Sequence, residues 1–189
     1  MKRTLLIAAS IAIAAPQVFA QAKNFEGFSL GANAESTNSQ TTLTGTGSDS
    51  NTMGSLAAQA QYTFALGPQF TLGLGATAAP ASLNAGALNG ISYSTKNRAS
   101  FDVTPGYAVS DTTLVYGKLS ALTGTSSAVD ATGTETTANL NGFGYGVGVR
   151  FLLDKNFFVQ GDINSNRYND VNGTSLSSTA LAVGVGYKF

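Results

Sequence analysis

The chain has 189 residues, of which 43% are hydrophobic and 11% are charged, where an average soluble domain carries roughly 25% charged residues. It contains no His and no Cys, so it builds neither a Ser-His-Asp triad, nor a Cys nucleophile, nor the zinc sites that use these ligands. Ten basic and ten acidic residues give a formal net charge of zero, which argues against a nucleic-acid-binding protein. Polarity is carried instead by neutral groups, above all by 41 Ser and Thr residues.

The first twenty residues have the layout of a secretory signal peptide. Two basic residues precede the apolar run 5–15, and Val18 and Ala20 supply small side chains at the minus-three and minus-one positions that signal peptidase reads. The apolar run is too short to cross about 30 Å of hydrocarbon. We therefore expect residues 1–20 to direct export through the general secretory route, and residues 21–189 to form a single exported domain.

Beyond the signal peptide the dominant pattern is an alternation of apolar residues with small or polar ones, which is typical of half-buried β-strands. Eight segments follow it, and each is long enough for a tilted membrane strand of about 9 to 11 residues. The predicted strands are 25–36, 53–65, 69–80, 92–109, 114–123, 140–152, 156–167 and 177–189.

The connections between these strands alternate in length. Three are tight turns with Gly, Pro, Asp or Asn, at 66–68, 110–113 and 153–156. Four are long and rich in Ser, Thr, Asn and Gly, and we interpret them as solvated loops, at 37–52, 81–91, 124–139 and 168–176. Short turns at one end and longer loops at the other are typical of outer-membrane barrels. We predict an all-β fold, a single eight-stranded antiparallel transmembrane β-barrel with up-and-down meander topology and four exposed polar loops.

The charged residues inside the predicted strands fall on the face opposite the large apolar residues. This placement predicts a polar lumen with a charge network, formed by Glu35, Lys96, Arg98, Asp102, Lys118, Arg150 and Asp162. Asp102 with Lys118, and Arg150 with Asp162, come near diagonal positions about 7 to 8 Å apart on neighbouring strands, so we expect each to form an ion pair. Alternate glycines would leave space for long side chains in a narrow barrel: Gly142, Gly144, Gly146 and Gly148 for Arg98, Lys118, Gln59 and Gln61.

Aromatic residues concentrate at the ends of the strands that face the short turns. Membrane barrels carry such girdles at the lipid interfaces, whereas a soluble barrel has no reason to gather its aromatic residues there. The predicted inner girdle is Phe25, Phe28, Tyr62, Phe64, Phe70, Tyr107, Phe151, Phe157, Tyr187 and Phe189, and the predicted outer girdle contains Tyr93 and Phe143.

With these features, residues 21–189 resemble the small eight-stranded outer-membrane β-barrels, a porin-like family that includes OmpX and the transmembrane domain of OmpA. The most specific element is the terminal alternation, which looks like the assembly signal of that family: Leu181, Val183, Val185, Tyr187 and Phe189. The resemblance implies that periplasmic chaperones and the barrel-assembly machinery recognise this signal. It also implies a place in the outer membrane of a Gram-negative bacterium, among its lipids and lipopolysaccharide.

The sequence predicts a protein without an enzymatic activity. We find no catalytic, cofactor-binding or metal-binding constellation, and the lipid-modifying barrels of this architecture use a catalytic His that the chain lacks. The glycines at 142–148 alternate strictly and precede no helix, unlike a phosphate-binding loop. We expect a structural or surface-interaction protein with a largely plugged lumen. The sequence does not identify an extracellular ligand of its loops. The alternatives are a narrow porin-like channel for small solutes or ions, and a soluble exported barrel that binds an apolar ligand.

Overall fold

A computed structural model describes residues 21–43, 47–88, 91–130, 132–169 and 174–189, so the predicted signal peptide lies outside the described residues. The chain enters the fold through a 3₁₀ turn, Gln21–Phe25. Nine strands follow: β1 (Gly27–Leu43), β2 (Gly47–Ala65), β3 (Phe70–Ala79), β4 (Leu83–Leu88), β5 (Ile91–Ala108), β6 (Thr113–Val129), β7 (Glu135–Leu152), β8 (Phe157–Tyr168) and β9 (Thr174–Lys188). Within the described ranges, no helix has the length and apolar character needed to cross a membrane.

The strands form one closed antiparallel barrel. Their order is β3-β2-β1-β9-β8-β7-β6-β5-β4, and β3 also pairs with β5, which closes the ring. β3 and β4 both pair with β5 and are separated only by residues 80–82, where Pro80 lacks the amide that a continuous ladder needs. They therefore act as one interrupted barrel strand, and the predicted eight-stranded all-β meander is confirmed.

The strands continue well beyond the predicted bounds at the end opposite the tight turns. β1 has 17 residues and β2 has 19, against about 9 to 11 needed to cross the membrane. Most of 37–52 and 124–139 is therefore strand, so their interpretation as solvated loops is wrong, and β4 lies inside predicted loop 81–91. Their Ser and Thr content suggested loops, but Thr is also a good strand former, and hydrogen bonds to neighbouring strands hold these segments extended.

The inner aromatic girdle is largely as predicted, because nine of its ten members are exposed on the outer wall: Phe28, Tyr62, Phe64, Phe70, Tyr107, Phe151, Phe157, Tyr187 and Phe189. The tenth, Phe25, is instead buried inside the barrel. At the other end Phe143 faces outward, but Tyr93 packs inward against a buried apolar cluster. Both exceptions are side chains that pack in apolar clusters inside the barrel rather than contact lipid.

A β-bulge in β5 decides which charges enter the lumen. Asn97 has φ +49°, and residues 97 and 98 together face Gly124 between the pairs Lys96–Thr125 and Ala99–Thr123. The extra residue shifts the alternation of side chains by one position. Lys96 consequently lies on the outer face of the barrel while Arg98 lies on the inner face, although the two have the same parity in the sequence.

Candidate functional site in the barrel lumen

An apolar cluster fills the lumen at the end with the tight turns. The 3₁₀ turn crosses this mouth and is anchored to two of those turns, since Ala22 N donates to Pro68 O at 3.0 Å and Asn24 Nδ2 donates to Asp111 O at 3.1 Å. It thereby places the Phe25 ring inside the barrel. This group, which we call the lower cluster, consists of Phe25, Ala108, Leu114, Tyr116, Leu152 and Phe158.

Arg150 lies directly above the lower cluster. Its guanidinium carbon is 4.2 Å from the centroid of the Phe158 ring, a favourable cation–π distance. Arg150 Nη2 donates to Gln160 Oε1 at 2.8 Å and to Gln61 Oε1 at 3.4 Å, and Gln160 Nε2 donates to Gln59 Oε1 at 2.7 Å. These amides form a hydrogen-bonded layer across the lumen.

The ion pair predicted between Arg150 and Asp162 does not form, although the structure describes both residues. Arg150 faces Gln160 directly across the β7–β8 pair, and this amide, the Gln61 amide and the Phe158 ring occupy its guanidinium. Asp162 accepts hydrogen bonds from the Tyr116 hydroxyl at 3.3 Å and from the Asn164 amide. Removing Arg150 would therefore leave Asp162 with both of these partners.

Asp102 is the centre of the next layer and is fully buried. Its carboxylate accepts hydrogen bonds from the hydroxyls of Thr77 at 2.6 Å and Ser120 at 2.7 Å. Lys118 Nζ lies 3.4 Å from Asp102 Oδ2. The structure thus brings Asp102 and Lys118 together, as expected from their diagonal register.

Glu35 and Arg98 form a second inward ion pair, further toward the extended β1–β2 and β6–β7 hairpins, which we call the projecting hairpins. Arg98 Nη2 lies 3.5 Å from Glu35 Oε2, and the Ser55 hydroxyl bridges both side chains. The pair borders a cavity of about 50 Å³ that Lys118, Asn164 and other polar residues line. A cavity of this size holds a few water molecules, so the centre of the lumen is polar and small.

A second apolar group, the upper cluster, occupies the lumen beyond this cavity. Its buried members come from β4, β7, β8 and β9, and two half-buried side chains pack against them: Ala85, Leu140, Tyr168, Leu176, Tyr93 and Leu122. The Thr41 hydroxyl donates to Ala85 O at 2.9 Å and so fixes β4 over the mouth. Sequence reasoning missed this cluster because three members lie in segments interpreted as polar loops, Ala85, Tyr168 and Leu176, and Tyr93 was assigned to the outer girdle.

The alternating glycines of β7 contact different residues from those predicted. The nearest atoms to a side chain built at Gly144, Gly146 and Gly148 belong to Asn166, Asn164 and Tyr116. Gln61 lies against Gly73 and Gly75 of β3 instead. The glycines do make room for lumen side chains, but for those on the strands beside them.

Lys96 does not belong to the lumen network. It pairs with Glu135 on the outer face of the β6–β7 hairpin, with Nζ 2.6 Å from Oε1, and both side chains are more than one third exposed. Among the described residues, no group of three or more Asp, Glu, His or Cys side chains is placed to hold a metal ion.

Acidification is expected to loosen the β6–β7 hairpin through Glu135. Hydrogen bonds from Lys96 and then Ser127, together with the Lys96 charge, hold the pKa of Glu135 below its ordinary value of 4.5. Because the folded state favours the charged form, this stabilisation is present above the ordinary pKa and is lost as the pH falls through the lowered pKa. Amide exchange at Ser127 measures the effect.

Glu135→Gln is the control, because it removes this titration while Asp130, in the same hairpin, remains in both proteins. The difference in exchange between the two proteins should shrink as the pH falls. A pH response of the same size in Glu135→Gln would contradict the assignment.

Taken together, a closed antiparallel ring with an apolar outer wall, aromatic girdles and a polar lumen defines a transmembrane β-barrel. The profile of the family described as outer membrane protein beta-barrel domain matches residues 4–189. The chain therefore belongs to this family and is a protein of the Gram-negative outer membrane, where lipids and lipopolysaccharide surround it. No curated protein matches the sequence significantly.

Two solved structures show the same fold. Neisserial surface protein A is 16% identical, covers 87% of this chain and 98% of its own, and has a TM-score of 0.64. Ail, the attachment invasion locus protein of Yersinia pestis, is 18% identical, covers 87% of this chain and 99% of its own, and has a TM-score of 0.57. At these identities the likeness extends to the fold alone.

Proposed function

We propose that this protein is a non-enzymatic structural and surface-interaction protein whose barrel is sealed. The observation that supports this most directly is the pair of apolar clusters, one at each end of the polar lumen. An ion crossing the barrel would have to leave water at both clusters and displace the Arg150 and Asp102 layers between them, which is costly. The projecting hairpins then carry the interactions of the protein.

Attachment is the role that the name of Ail states for that protein. The extended β1–β2 and β6–β7 hairpins offer projecting surfaces for such a role here. We propose as well that residues 1–20 are removed on export. The terminal residues 181–189, whose odd-numbered side chains face outward from the folded barrel, would be read by periplasmic chaperones and the assembly machinery before the barrel closes.

A narrow channel for small solutes or ions is the second candidate. The polar cavity between the clusters, lined by Glu35, Arg98 and Lys118 among others, favours this channel, because a conducting path needs polar, hydrated space inside the barrel. Single-channel recording in planar bilayers separates the two candidates.

We expect the unaltered protein to show no stable conductance steps. The combined variant Phe25→Ala and Leu140→Ala, with one truncation in each cluster, should raise the conductance and shows that the assay detects an opened lumen. Leu153→Ala, an exposed residue in the β7–β8 turn, should leave the bilayer silent. Stable steps from the unaltered protein would overturn the sealed barrel and favour the channel.

A further inference from the structure

The outer wall changes from apolar to polar within one register row on four adjacent strands. The last outward-facing apolar residues of β9 and β8 are the paired Leu181 and Ile163. Those of β1 and β2 are the paired Ala34 and Leu56, one row nearer the tight turns. Two further rows of outward residues follow across β2, β1, β9 and β8, which we call the outer polar rows. The first row is Thr52, Asn38, Thr179 and Ser165, and the second is Ser50, Gln40, Ser177 and Arg167.

The outer polar rows offer neutral hydrogen-bonding groups in a regular array. Seven of the eight side chains are hydroxyls or amides, and none is a carboxylate. Neighbouring positions within a row are separated by the strand spacing of about 4.8 Å. Asn38 Nδ2 donates to Thr52 Oγ1 at 2.9 Å, which leaves the Asn38 carbonyl oxygen and the exposed Gln40 amide directed at the surroundings. Such a face suits a partner that presents many hydroxyls.

Arg167 is the one charged member and stands at the edge of the lipid-facing wall. It is exposed, and in the described part of the chain its guanidinium has no hydrogen bond or ion pair. Its cross-strand neighbour is Phe143, which is 56% exposed and faces lipid. A guanidinium at the border of the hydrocarbon is stabilised best by an anionic headgroup, and its fork of donors fits a phosphate.

We propose that the outer polar rows bind the headgroup of lipopolysaccharide. Arg167 binds a phosphate of lipid A, and the neutral side chains of the rows donate to and accept from the sugar hydroxyls. Charge complementarity and continuity with the lipid-facing wall support this partner, because a lipid in the outer leaflet meets both surfaces at once. The inference rests on the surface-interaction part of the proposed function and is independent of whether the lumen is sealed, so conductance neither supports nor overturns it.

Binding to the folded full-length domain in detergent, measured by native mass spectrometry over a lipid titration, tests the proposal. The probes are rough lipopolysaccharide, lipid A with both phosphates, lipid A without phosphates and phosphatidylglycerol. The unaltered protein should bind phosphorylated lipid A roughly tenfold more tightly than the dephosphorylated form. Arg167→Gln should lose this preference, and Arg167→Lys should retain part of it.

Lys96→Gln is the matched control, because Lys96 is also a cation on the outer wall but is already paired with Glu135; its preference should be unchanged. Thr52→Val with Thr179→Val keeps the side-chain shape and should weaken binding of rough lipopolysaccharide severalfold. Equal binding by Arg167→Gln and the unaltered protein would overturn the phosphate site. Equal competition by phosphatidylglycerol would overturn lipopolysaccharide as the partner.

Discussion

Asp102→Ala should lower the free energy of unfolding of the barrel by about 3 kcal/mol, the size expected when one partner of a buried charge pair is removed. Asp102 is fully buried and holds Lys118, Thr77 and Ser120 around one carboxylate. Its removal leaves the Lys118 ammonium without its counter-charge and two hydroxyls without their acceptor. The value lies at the lower end of the usual range because Lys118 borders the central cavity, where water partly solvates it.

Urea unfolding in lipid vesicles, followed by tyrosine fluorescence because the chain has no Trp, measures the change. Asp111→Ala is the matched control, since Asp111 is an exposed acid in the β5–β6 turn and its loss should have little effect. In the double variant with Lys118→Ala, the destabilisation should be smaller than the sum of the two single effects. Additive effects would show that the two charges do not stabilise each other.

Gly146→Val should destabilise the barrel by a similar amount, about 3 kcal/mol, or prevent folding altogether, because overpacking a close contact forces the backbone to move. A Cβ at this position would lie 2.6 Å from the carbonyl oxygen of Ile163 and would also overlap the Asn164 side chain. Neither neighbour has room to retreat, since Ile163 belongs to the β8 ladder and Asn164 is bonded to Asp162.

Gly161→Val provides the comparison on the next strand. Gly161 faces outward, and the nearest atom to a Cβ there is Ala182 O at 3.7 Å, an ordinary contact. Valine favours strands and would face lipid at this position, so the unfolding midpoint of the Gly161→Val variant should be unchanged or raised. The two variants are compared by the change in electrophoretic mobility on heating and by urea unfolding. Equal stability of both would contradict the close packing of the lumen.

The fold was predictable because it depends on a local property. Alternation with a period of two decides which face of each strand contacts lipid, and short turns decide that neighbours in sequence pair in space. Both signals are present within a few residues, as in Leu181, Val183 and Val185 of β9. The same reasoning failed for the projecting hairpins, because their neutral polar residues are compatible with both a loop and a strand. Only pairing with a neighbouring strand, such as β9 for β1 or β5 for β6, decides between the two.

The lumen contacts were less predictable because closure of the ring creates them. Diagonal register sufficed to bring Asp102 to Lys118, but Arg150 had a choice between Asp162 and the amide directly opposite, and side-chain geometry favoured Gln160. The bulge at Asn97 reversed the expected position of Lys96. No local pattern indicates that Phe25, which precedes the first strand, packs inside the barrel with Phe158.

For this protein, the period-two alternation of residues 21–189, with the alternating turn lengths and the aromatic girdles, already predicted an outer-membrane barrel with an apolar wall and a polar interior. Parity assigns the side chains of a regular strand to its two faces. The tertiary structure decided that an apolar cluster lies at each end of the lumen and which inward charges pair. Those outcomes depend on residues up to 133 positions apart in the chain, such as Phe25 and Phe158, which meet only when the ladders have closed the ring. Local periodicity does not indicate contacts between residues so far apart in the sequence.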